Sequence, residues 1–248
     1  MTEVVHLAVA DGVATVTLDS PHNKNALSQQ LTGELLAHLE SASADDAVRV
    51  VVIRSAIDVF CAGADLSEAT TVGMAVGARR MVDVQRAIVA CPKPVVARVA
   101  GPVRAGGIGI VAAADISIAG TSSTFALTEV RLGLAAATIS LTVLARLSDR
   151  AASYAFLTGD GFDGGEAERI GLVTRTVPED ELDGAVETVV GSLLKGLPQG
   201  LRETKKLLTG PLLADIDARG NELAELSASL FGSEAAQEAM LAFLNRKR

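Results

Sequence analysis

Aromatic side chains are scarce in this chain of 248 residues, which contains one Tyr, six Phe and no Trp. Proteins that bind single-stranded nucleic acid stack the bases on aromatic rings, so the scarcity argues against such a stacking surface. Basic side chains are also a minority, because 22 Lys and Arg stand against 30 Asp and Glu, giving a formal net charge of −8. Nucleic acid is bound by basic surfaces, so the sequence predicts no nucleic-acid partner.

Long hydrophobic runs are missing as well. The longest apolar stretch, residues 105–118, is interrupted by Asp115 and by three glycines. Such a segment is too short and too broken to cross a bilayer, so we expect no membrane partner. The first residues, Met1-Thr2-Glu3, lack the basic region and apolar core of a secretory signal.

Cysteine and histidine are few. Cys61 and Cys91 do not share a Cys-x-x-Cys spacing, and isolated cysteines are typical of packing residues in a reducing compartment. We therefore predict a cytoplasmic protein. Because His6, His22 and His38 form neither a His-x-x-x-His motif nor a His/Cys cluster, no metal site is predicted.

What the chain does contain is the composition and patterning of a globular α/β protein. Hydrophobic residues make up 49% and charged residues 21%, which fits one large domain or one domain with a helical appendage. Strand-like runs at 48–53, 95–99 and 115–119 alternate with helical segments at 77–90 and 106–113. This alternation predicts a parallel sheet with ligands at the carboxyl ends of its strands.

Local signals define the two ends of the chain. Near the start, Asp11-Gly12 between residues 4–9 and 13–18 predicts a β-hairpin, and Ser28 is a suitable N-cap for the helix that follows it. Beyond residue 139 helices dominate, with one late strand over residues 172–177. The last helices are predicted over residues 198–208, 214–230 and 235–246.

Two glycine-rich turns, at residues 60–66 and 105–109, each follow a strand-like run, and an acidic residue, Glu129, comes shortly after them. A turn of small residues leaves backbone N–H groups open to a ligand carbonyl, because no bulky side chain blocks the approach. If the two turns converge, the N–H groups of Ala64 and Gly106 clamp one thioester oxygen. The sequence therefore predicts an oxyanion hole of the kind that stabilises an enolate.

With these turns the chain resembles the enoyl-CoA hydratase/isomerase (crotonase) superfamily, and the likeness covers nearly the whole sequence. Each matching motif is weak alone, but their order and spacing together are specific. The motifs are Asn25-Ala26-Leu27, residues 48–53 with the turn at 61–66, residues 93–97 with Gly101 and the turn at 105–109, residues 115–119, residues 125–133, and residues 157–159 followed by 167–173.

The resemblance implies a crotonase-like ββα spiral core. We expect this core, with its acyl-CoA site, over residues 1–195, and a C-terminal helical oligomerisation region over residues 196–248 that packs on the core and on neighbouring subunits. It also implies a homotrimer or a dimer of trimers. The implied substrate is an acyl-CoA thioester, and no cofactor is implied beyond the coenzyme A that the substrate carries.

The activity that the resemblance implies is hydration of a 2-enoyl-CoA to a 3-hydroxyacyl-CoA. The N–H groups of Ala64 and Gly106 would meet the charge that builds on the thioester oxygen, and carboxyl groups would move the protons. Two glutamates share that work in the family. Glu129 falls on one of them, whereas Gly109 stands at the position of the other.

The absence of a carboxyl group at Gly109 leaves three functions open. The signature at residues 129–134, with 137–140, resembles a subgroup described as enoyl-CoA or methylglutaconyl-CoA hydratases, which also carry a small residue at this position, so hydration stays first. Because one carboxylate can shuttle a proton between two carbons, Glu129 alone suits a Δ3,Δ2-enoyl-CoA isomerase. The third function is acyl-CoA binding without turnover. Gly109 itself either is a packing glycine or leaves room for a bulky acyl group.

Further site residues follow from the resemblance alone. The residues predicted to line the adenine and pantetheine path are Lys24, Ala26, Ala62, Asp65 and Leu66. Phe243 and Arg246 are predicted to approach the CoA of a neighbouring subunit. Lys24 is equally well explained as a solvated loop charge. Arg104 is expected to touch either the acyl or pantetheine groups or a carboxylate such as Asp65.

Overall fold

The computed structural model of the protein describes residues 2–68 and 73–246, apart from the side chains of 243–246. The strands are Val5–Ala10 (β1), Val13–Leu18 (β2), Val50–Ser55 (β3), Val95–Val99 (β4), Pro102–Arg104 (β5), Ile116–Gly120 (β6), Thr124–Ala126 (β7), Phe162–Asp163 (β8) and Arg175–Val177 (β9). The α-helices are Gln29–Ala44 (α1), Gly73–Ala90 (α2), Gly106–Ala113 (α3), Ala137–Val143 (α4), Asp149–Thr158 (α5), Gly164–Arg169 (α6), Leu182–Leu193 (α7), Pro198–Phe231 (α8) and Glu234–Arg246 (α9).

The larger sheet has the strand order β1-β2-β3-β4-β6-β9. Its pairs are parallel except for the hairpin of β1 and β2. That hairpin turns at Asp11 and Gly12, which both have positive φ angles, of 51° and 81°. Two consecutive left-handed residues are what a tight type I′ turn requires, so the predicted hairpin is confirmed.

Both faces of this sheet are covered, as the continuous apolar run of β3 predicts. Val51 and Ile53 point into the main core, which includes buried side chains of α1, α2 and α3. Val50 and Val52 point to the opposite side, where buried residues of α7 cover them. The predicted parallel sheet between helical layers is therefore present.

A second, smaller sheet has the order β5-β7-β8. Within it β5 and β7 are parallel, and β7 and β8 are antiparallel. Phe125 of β7 stacks on Phe162 of β8 with ring centroids 5.6 Å apart. This sheet carries two of the three segments that build the candidate site.

Helix α8 corrects one prediction, because it runs unbroken through Pro211 where two helices were expected. Proline removes one backbone hydrogen bond from a helix interior. Buried residues of α8 lie on both sides of Pro211, with Thr209 before it and Ile216 and Leu223 after it. Continued packing of the buried helix face outweighs the missing hydrogen bond. None of the described helices combines the length and hydropathy needed to cross a membrane.

Candidate active site

The first turn is held in place by a buried amide side chain. Asn25 is fully buried and has a positive φ of 53°. Its Nδ2 donates to Ser55 Oγ at 2.9 Å and to the Val59 carbonyl at 3.1 Å, and its Oδ1 accepts from the Ser20 N–H at 2.7 Å. The two bonds from Nδ2 join the loop before α1 to the end of β3 and the chain that leaves it, and the bond to Oδ1 braces the loop itself.

Backbone bonds fasten the same loop to the turn itself. The Ala62 N–H donates to the Lys24 carbonyl at 3.1 Å, and the Leu27 N–H donates to the Gly63 carbonyl at 2.8 Å. The peptide groups just before Ala64 are therefore fixed before any ligand binds.

The second turn begins where β5 ends. Cys61 forms a parallel bridge with Val103, and the Ala105 N–H donates to the Ala126 carbonyl of β7 at 3.2 Å. Ala105 adopts φ 48° and ψ −121°, a conformation that L side chains rarely take. Strain of this kind persists only where the surroundings enforce it, and it is concentrated at functional sites.

These pairings bring three segments to one edge of the smaller sheet, namely the first turn, the second turn and the chain that follows β7. Since Cys61, β5 and β7 run parallel to one another, the chain emerges from each at the same end. A Cβ atom placed on Gly63 would lie 3.1 Å from the Ala105 Cβ, so the two turns are in contact. The convergence that the sequence predicted is present in the fold.

Two backbone amides remain open at this edge. Within the described residues, neither the Ala64 N–H nor the Gly106 N–H donates a hydrogen bond to another protein group. The bond from the Ile108 N–H to the Ala105 carbonyl, at 2.9 Å, lies beyond Gly106 at the start of α3. The N-terminus of α3 adds a partial positive charge, so the edge is suited to a developing oxyanion.

Glu129 stands three residues after β7, at the start of a 3₁₀ turn over Glu129–Leu132. Its Oε2 atom is fully buried and has no hydrogen-bond partner. Burial raises the pKa of this carboxyl from 4.5 to about 7, because the charged form loses its hydration without gaining a cation. A carboxyl group with that pKa exchanges protons readily near neutral pH.

Gly109 is a packing glycine. A Cβ atom at this position would lie 2.6 Å from Ile139 Cγ2 and 3.3 Å from Gln85 Oε1. The Gln85 side chain is itself fully bonded, with Nε2 donating to the Thr138 carbonyl at 3.1 Å and Oε1 accepting from Thr142 Oγ1 at 2.6 Å. The space beside Gly109 is therefore occupied by protein and does not leave room for an acyl group.

Arg104 does not contact Asp65, and that predicted pairing is wrong. The guanidinium group donates to the Thr124 carbonyl at 2.6 Å and to its hydroxyl at 2.9 Å. Asp65 instead accepts from Asn23 Nδ2 at 3.0 Å and from the Ser67 N–H at 2.9 Å. Partial burial lowers the pKa of Arg104, and its bonds brace β5 against β7.

The other predicted binding residues fall along the first turn and beside it. Ala62 and Lys24 are exposed, whereas Ala26 is buried. Leu66 packs against a small cluster that contains Leu134 and residues of α9. The Phe243 and Arg246 side chains lie outside the described residues. Within residues 2–68 and 73–246, no group of His, Cys, Asp and Glu side chains is arranged to hold a metal ion.

Asn25, Ala105 and Ile139 stand within motifs that the sequence analysis named, but their structural roles were missed. The left-handed Asn25 and the strained Ala105 give no signal in a single sequence, because their roles depend on backbone angles. Ile139 is an ordinary apolar residue in a helical pattern, and only the fold shows that it faces Gly109.

Comparison with known proteins gives a consistent result. Residues 8–248 match the family model described as "Enoyl-CoA hydratase/isomerase". A crystal structure of an enoyl-CoA hydratase from Mycobacterium avium superposes with a TM-score of 0.92 and 47% identity, covering 99% of this chain and 98% of that one. A mevalonyl-coenzyme A hydratase from Aspergillus fumigatus is 30% identical over an alignment 252 residues long. The alignment covers 95% of this chain and 90% of the relative. The α/β crotonase fold with C-terminal helices that the sequence predicted is confirmed. The second, three-stranded sheet is an addition that the sequence did not predict.

Proposed function

The chain belongs to the enoyl-CoA hydratase/isomerase family, and from this premise we propose that it adds water to a 2-enoyl-CoA to give a 3-hydroxyacyl-CoA. In this proposal Ala64 and Gly106 form the oxyanion hole through their N–H groups, and Glu129 is the acid/base. The names of the relatives, which are hydratases, support hydration over other reactions of the family.

The observation that carries the proposal is the state of the Glu129 carboxyl group. An unpartnered, buried Oε2 atom destabilises the folded state, and buried polar groups of this kind are typical of catalytic positions. Glu129 follows β7, and β5, which pairs with β7, leads into the second turn. A base in this position would act on the carbons next to the thioester carbonyl that the two amides hold.

The chemistry follows from these positions. Ionised Glu129 takes a proton from water while the water oxygen bonds to C3 of the enoyl group. The C2–C3 π electrons move onto the thioester oxygen as an enolate, which accepts hydrogen bonds from Ala64 and Gly106. When the carbonyl reforms, C2 takes up a proton from the Glu129 carboxylic acid, which returns to its ionised state. Each oxyanion-hole donor contributes about 3 kcal/mol to such a transition state.

Substrate binding belongs to the same proposal. Lys24, Ala26, Ala62, Asp65, Leu66, Phe243 and Arg246 are proposed to contact the CoA thioester. The reaction moves only protons and water, and so it needs no cofactor beyond the coenzyme A of the substrate.

Isomerisation between Δ3- and Δ2-enoyl-CoA is the second candidate. It is favoured by the packing of Ile139 against Gly109, because this leaves no space there for a second carboxyl group. In that reaction Glu129 would remove a proton from C2 and return it to C4.

One assay separates the candidates. The protein is mixed with crotonyl-CoA, or with a 3-enoyl-CoA, and the absorbance of the conjugated enoyl thioester is followed. Hydration removes that absorbance from crotonyl-CoA, and isomerisation creates it from the 3-enoyl-CoA. Binding of both compounds with no change in either absorbance would contradict both reactions and favour acyl-CoA binding without turnover.

We also propose a homotrimer, or a dimer of trimers. Large apolar side chains are exposed on α5, where Tyr154 and Leu157 are 65% and 74% exposed, and on α8, where Leu207 is 82% exposed. Burial of such side chains between subunits supports assembly. Sedimentation should give a mass three or six times that of the 25.5 kDa chain, and a monomer at micromolar concentration would contradict it. The cytoplasmic location and the division at residue 195 stay predictions.

A further inference from the structure

The thiol of Cys61 lies between the two turns. Cys61 is fully buried, and its Sγ accepts a hydrogen bond from the Gly63 N–H at 3.4 Å. The Gly107 N–H donates to the same sulfur. One side chain thus receives an amide from each turn.

Helix α3 lies directly against this side chain. A Cβ atom on Gly107 would be 2.6 Å from the Cys61 Cβ and 2.9 Å from its Sγ. Only glycine permits this approach, since real side chains do not come so close. The separation between the first turn and the start of α3 is therefore set by the size of the thiol.

The chemistry of the thiol suits a permanent acceptor. Burial raises its pKa to about 12, so it stays neutral across the pH range of most enzymes and is a poor nucleophile. A neutral sulfur accepts weak hydrogen bonds that orient N–H groups, and it places no negative charge beside the oxygen that the amides would stabilise.

Gly63 and Gly107 are the chain neighbours of Ala64 and Gly106. When the sulfur fixes the Gly63 and Gly107 N–H groups, it restrains the adjoining peptide planes as well. We infer that Cys61 is a positioning residue that aims the two free amides of the oxyanion hole at one point. This inference rests on the proposed function, because it assigns a role within the same site.

The test uses three variants and a matched control. Cys61→Ala removes the acceptor, Cys61→Val removes it while filling the space, and Cys61→Ser keeps an acceptor. The control is Cys91→Ala, since Cys91 is also buried and its sulfur accepts from Ser43 Oγ at 3.2 Å, which joins α1 to the end of α2 rather than the two turns.

The first measurement is the infrared stretch of bound butyryl-CoA labelled with ¹³C at the thioester carbonyl. Butyryl-CoA has no double bond and is not hydrated. Two aligned amides lower the stretching frequency relative to free butyryl-CoA. We expect a smaller shift in Cys61→Ala and Cys61→Val, and a wild-type shift in Cys61→Ser and Cys91→Ala.

The second measurement is the hydration of crotonyl-CoA. Loss of a whole oxyanion donor lowers kcat by about 10²-fold to 10³-fold, so a misaimed donor should lower it about tenfold, with little change in KM. Thermal unfolding is recorded for every variant. The inference is overturned if Cys61→Ala, or Cys61→Val where Cys61→Ala does not fold, keeps the carbonyl shift and kcat of Cys91→Ala.

Failure of the proposed function would look different. In that case the wild-type protein itself would bind butyryl-CoA without shifting its carbonyl stretch. Failure of the Cys61 inference leaves the wild-type shift intact and shows only that the thiol does not control it.

Discussion

The Glu129 carboxyl group is buried at a cost to folding, and the same burial makes it more basic. Its Oε2 atom has neither solvent nor a hydrogen-bond donor, and burial is the main cause of its raised pKa. A carboxylate left in this state is more basic than one in water, so it takes a proton from water more readily. The same burial sets two pH dependences that are open to measurement.

The first is the pH dependence of turnover. Burial raises the pKa of Glu129 to about 7, and only the ionised form acts as the base. We expect kcat/KM for crotonyl-CoA to rise about tenfold per pH unit below that pKa and to level off above it. A profile that is flat between pH 5 and pH 9 would contradict the role of Glu129.

The second is the pH dependence of stability. Glu129 has an ordinary carboxyl pKa of 4.5 in the unfolded chain and a pKa of about 7 in the native state. Between these two values the native state keeps a proton that the unfolded state loses. The contribution of Glu129 to the free energy of unfolding therefore falls as the pH rises through this window, by at most about 3 kcal/mol.

The variant Glu129→Gln does not titrate and is the control for this effect. The free energy of unfolding of both proteins is measured with urea at pH 4.5 and pH 8. Between these pH values, the free energy of unfolding of Glu129→Gln should increase relative to that of the wild type. An equal pH dependence of the two proteins would show that the native pKa is not raised.

The two turns that carry the proposed oxyanion donors could be predicted from the sequence, whereas the residues that support these turns could not. The turns that carry Ala64 and Gly106 are marked by glycines after strand-like runs, which is a local pattern. Cys61 and Asn25 act through hydrogen bonds to residues that are close only in the folded chain. A single sequence holds no record of such contacts.

Among the secondary-structure elements, length decided what could be predicted. The hairpin, the capped α1 and strands β3, β4 and β6 carry patterns of five residues or more, and the structure confirms them. β9 covers only the last three residues of the strand predicted over residues 172–177. β5 and β7 have three residues each and β8 has two, which is too short to show alternation. The second sheet was missed for that reason, although it aligns the two glycine-rich turns.

Helix α3 gives a prediction for glycine. Gly109→Ala places a Cβ atom 2.6 Å from Ile139 Cγ2, and overpacking of this kind costs about 1–3 kcal/mol. Gly191→Ala in α7 is the matched control, because no group outside the neighbouring helix backbone lies within 4 Å of its Cβ position, and alanine there should add up to about 1 kcal/mol through helix propensity.

Urea unfolding of the two variants measures this contrast. Gly109→Ala should be less stable than the wild type and Gly191→Ala more stable. If both variants gain stability, Ile139 does not fill the space beside Gly109, and the site has room for a further group.

The molecule as a whole is joined by a buried ion pair between α8 and the larger sheet. Lys205 is 6% exposed and its Nζ lies 2.7 Å from Asp115 Oδ2. The same ammonium group donates to the carbonyls of Ile88 and Lys93, at 3.0 and 3.1 Å. The C-terminal helices are thus attached to the core by polar contacts as well as by apolar packing.

Removal of the charge at Lys205 should destabilise the whole protein. Lys205→Met leaves a largely buried Asp115 carboxylate without its cation, and breaking a buried pair costs about 3–5 kcal/mol. Lys206→Met is the control, since the Lys206 side chain is 65% exposed and pairs with Glu203 on the surface, where a pair contributes at most about 1 kcal/mol. Thermal unfolding that shifts equally in both variants would show that the buried pair does not join α8 to the core.

The most direct test of the site compares the initial rates at which the wild type and Glu129→Gln remove the enoyl absorbance of crotonyl-CoA at pH 8. Both proteins should bind butyryl-CoA with similar affinity, because the proposed oxyanion donors are backbone N–H groups that the substitution does not change. The wild type should turn over, and the variant should be slower by at least about a hundredfold, as expected for a removed acid/base group. Near-normal turnover in Glu129→Gln, or none in a wild type that binds butyryl-CoA, would contradict the account.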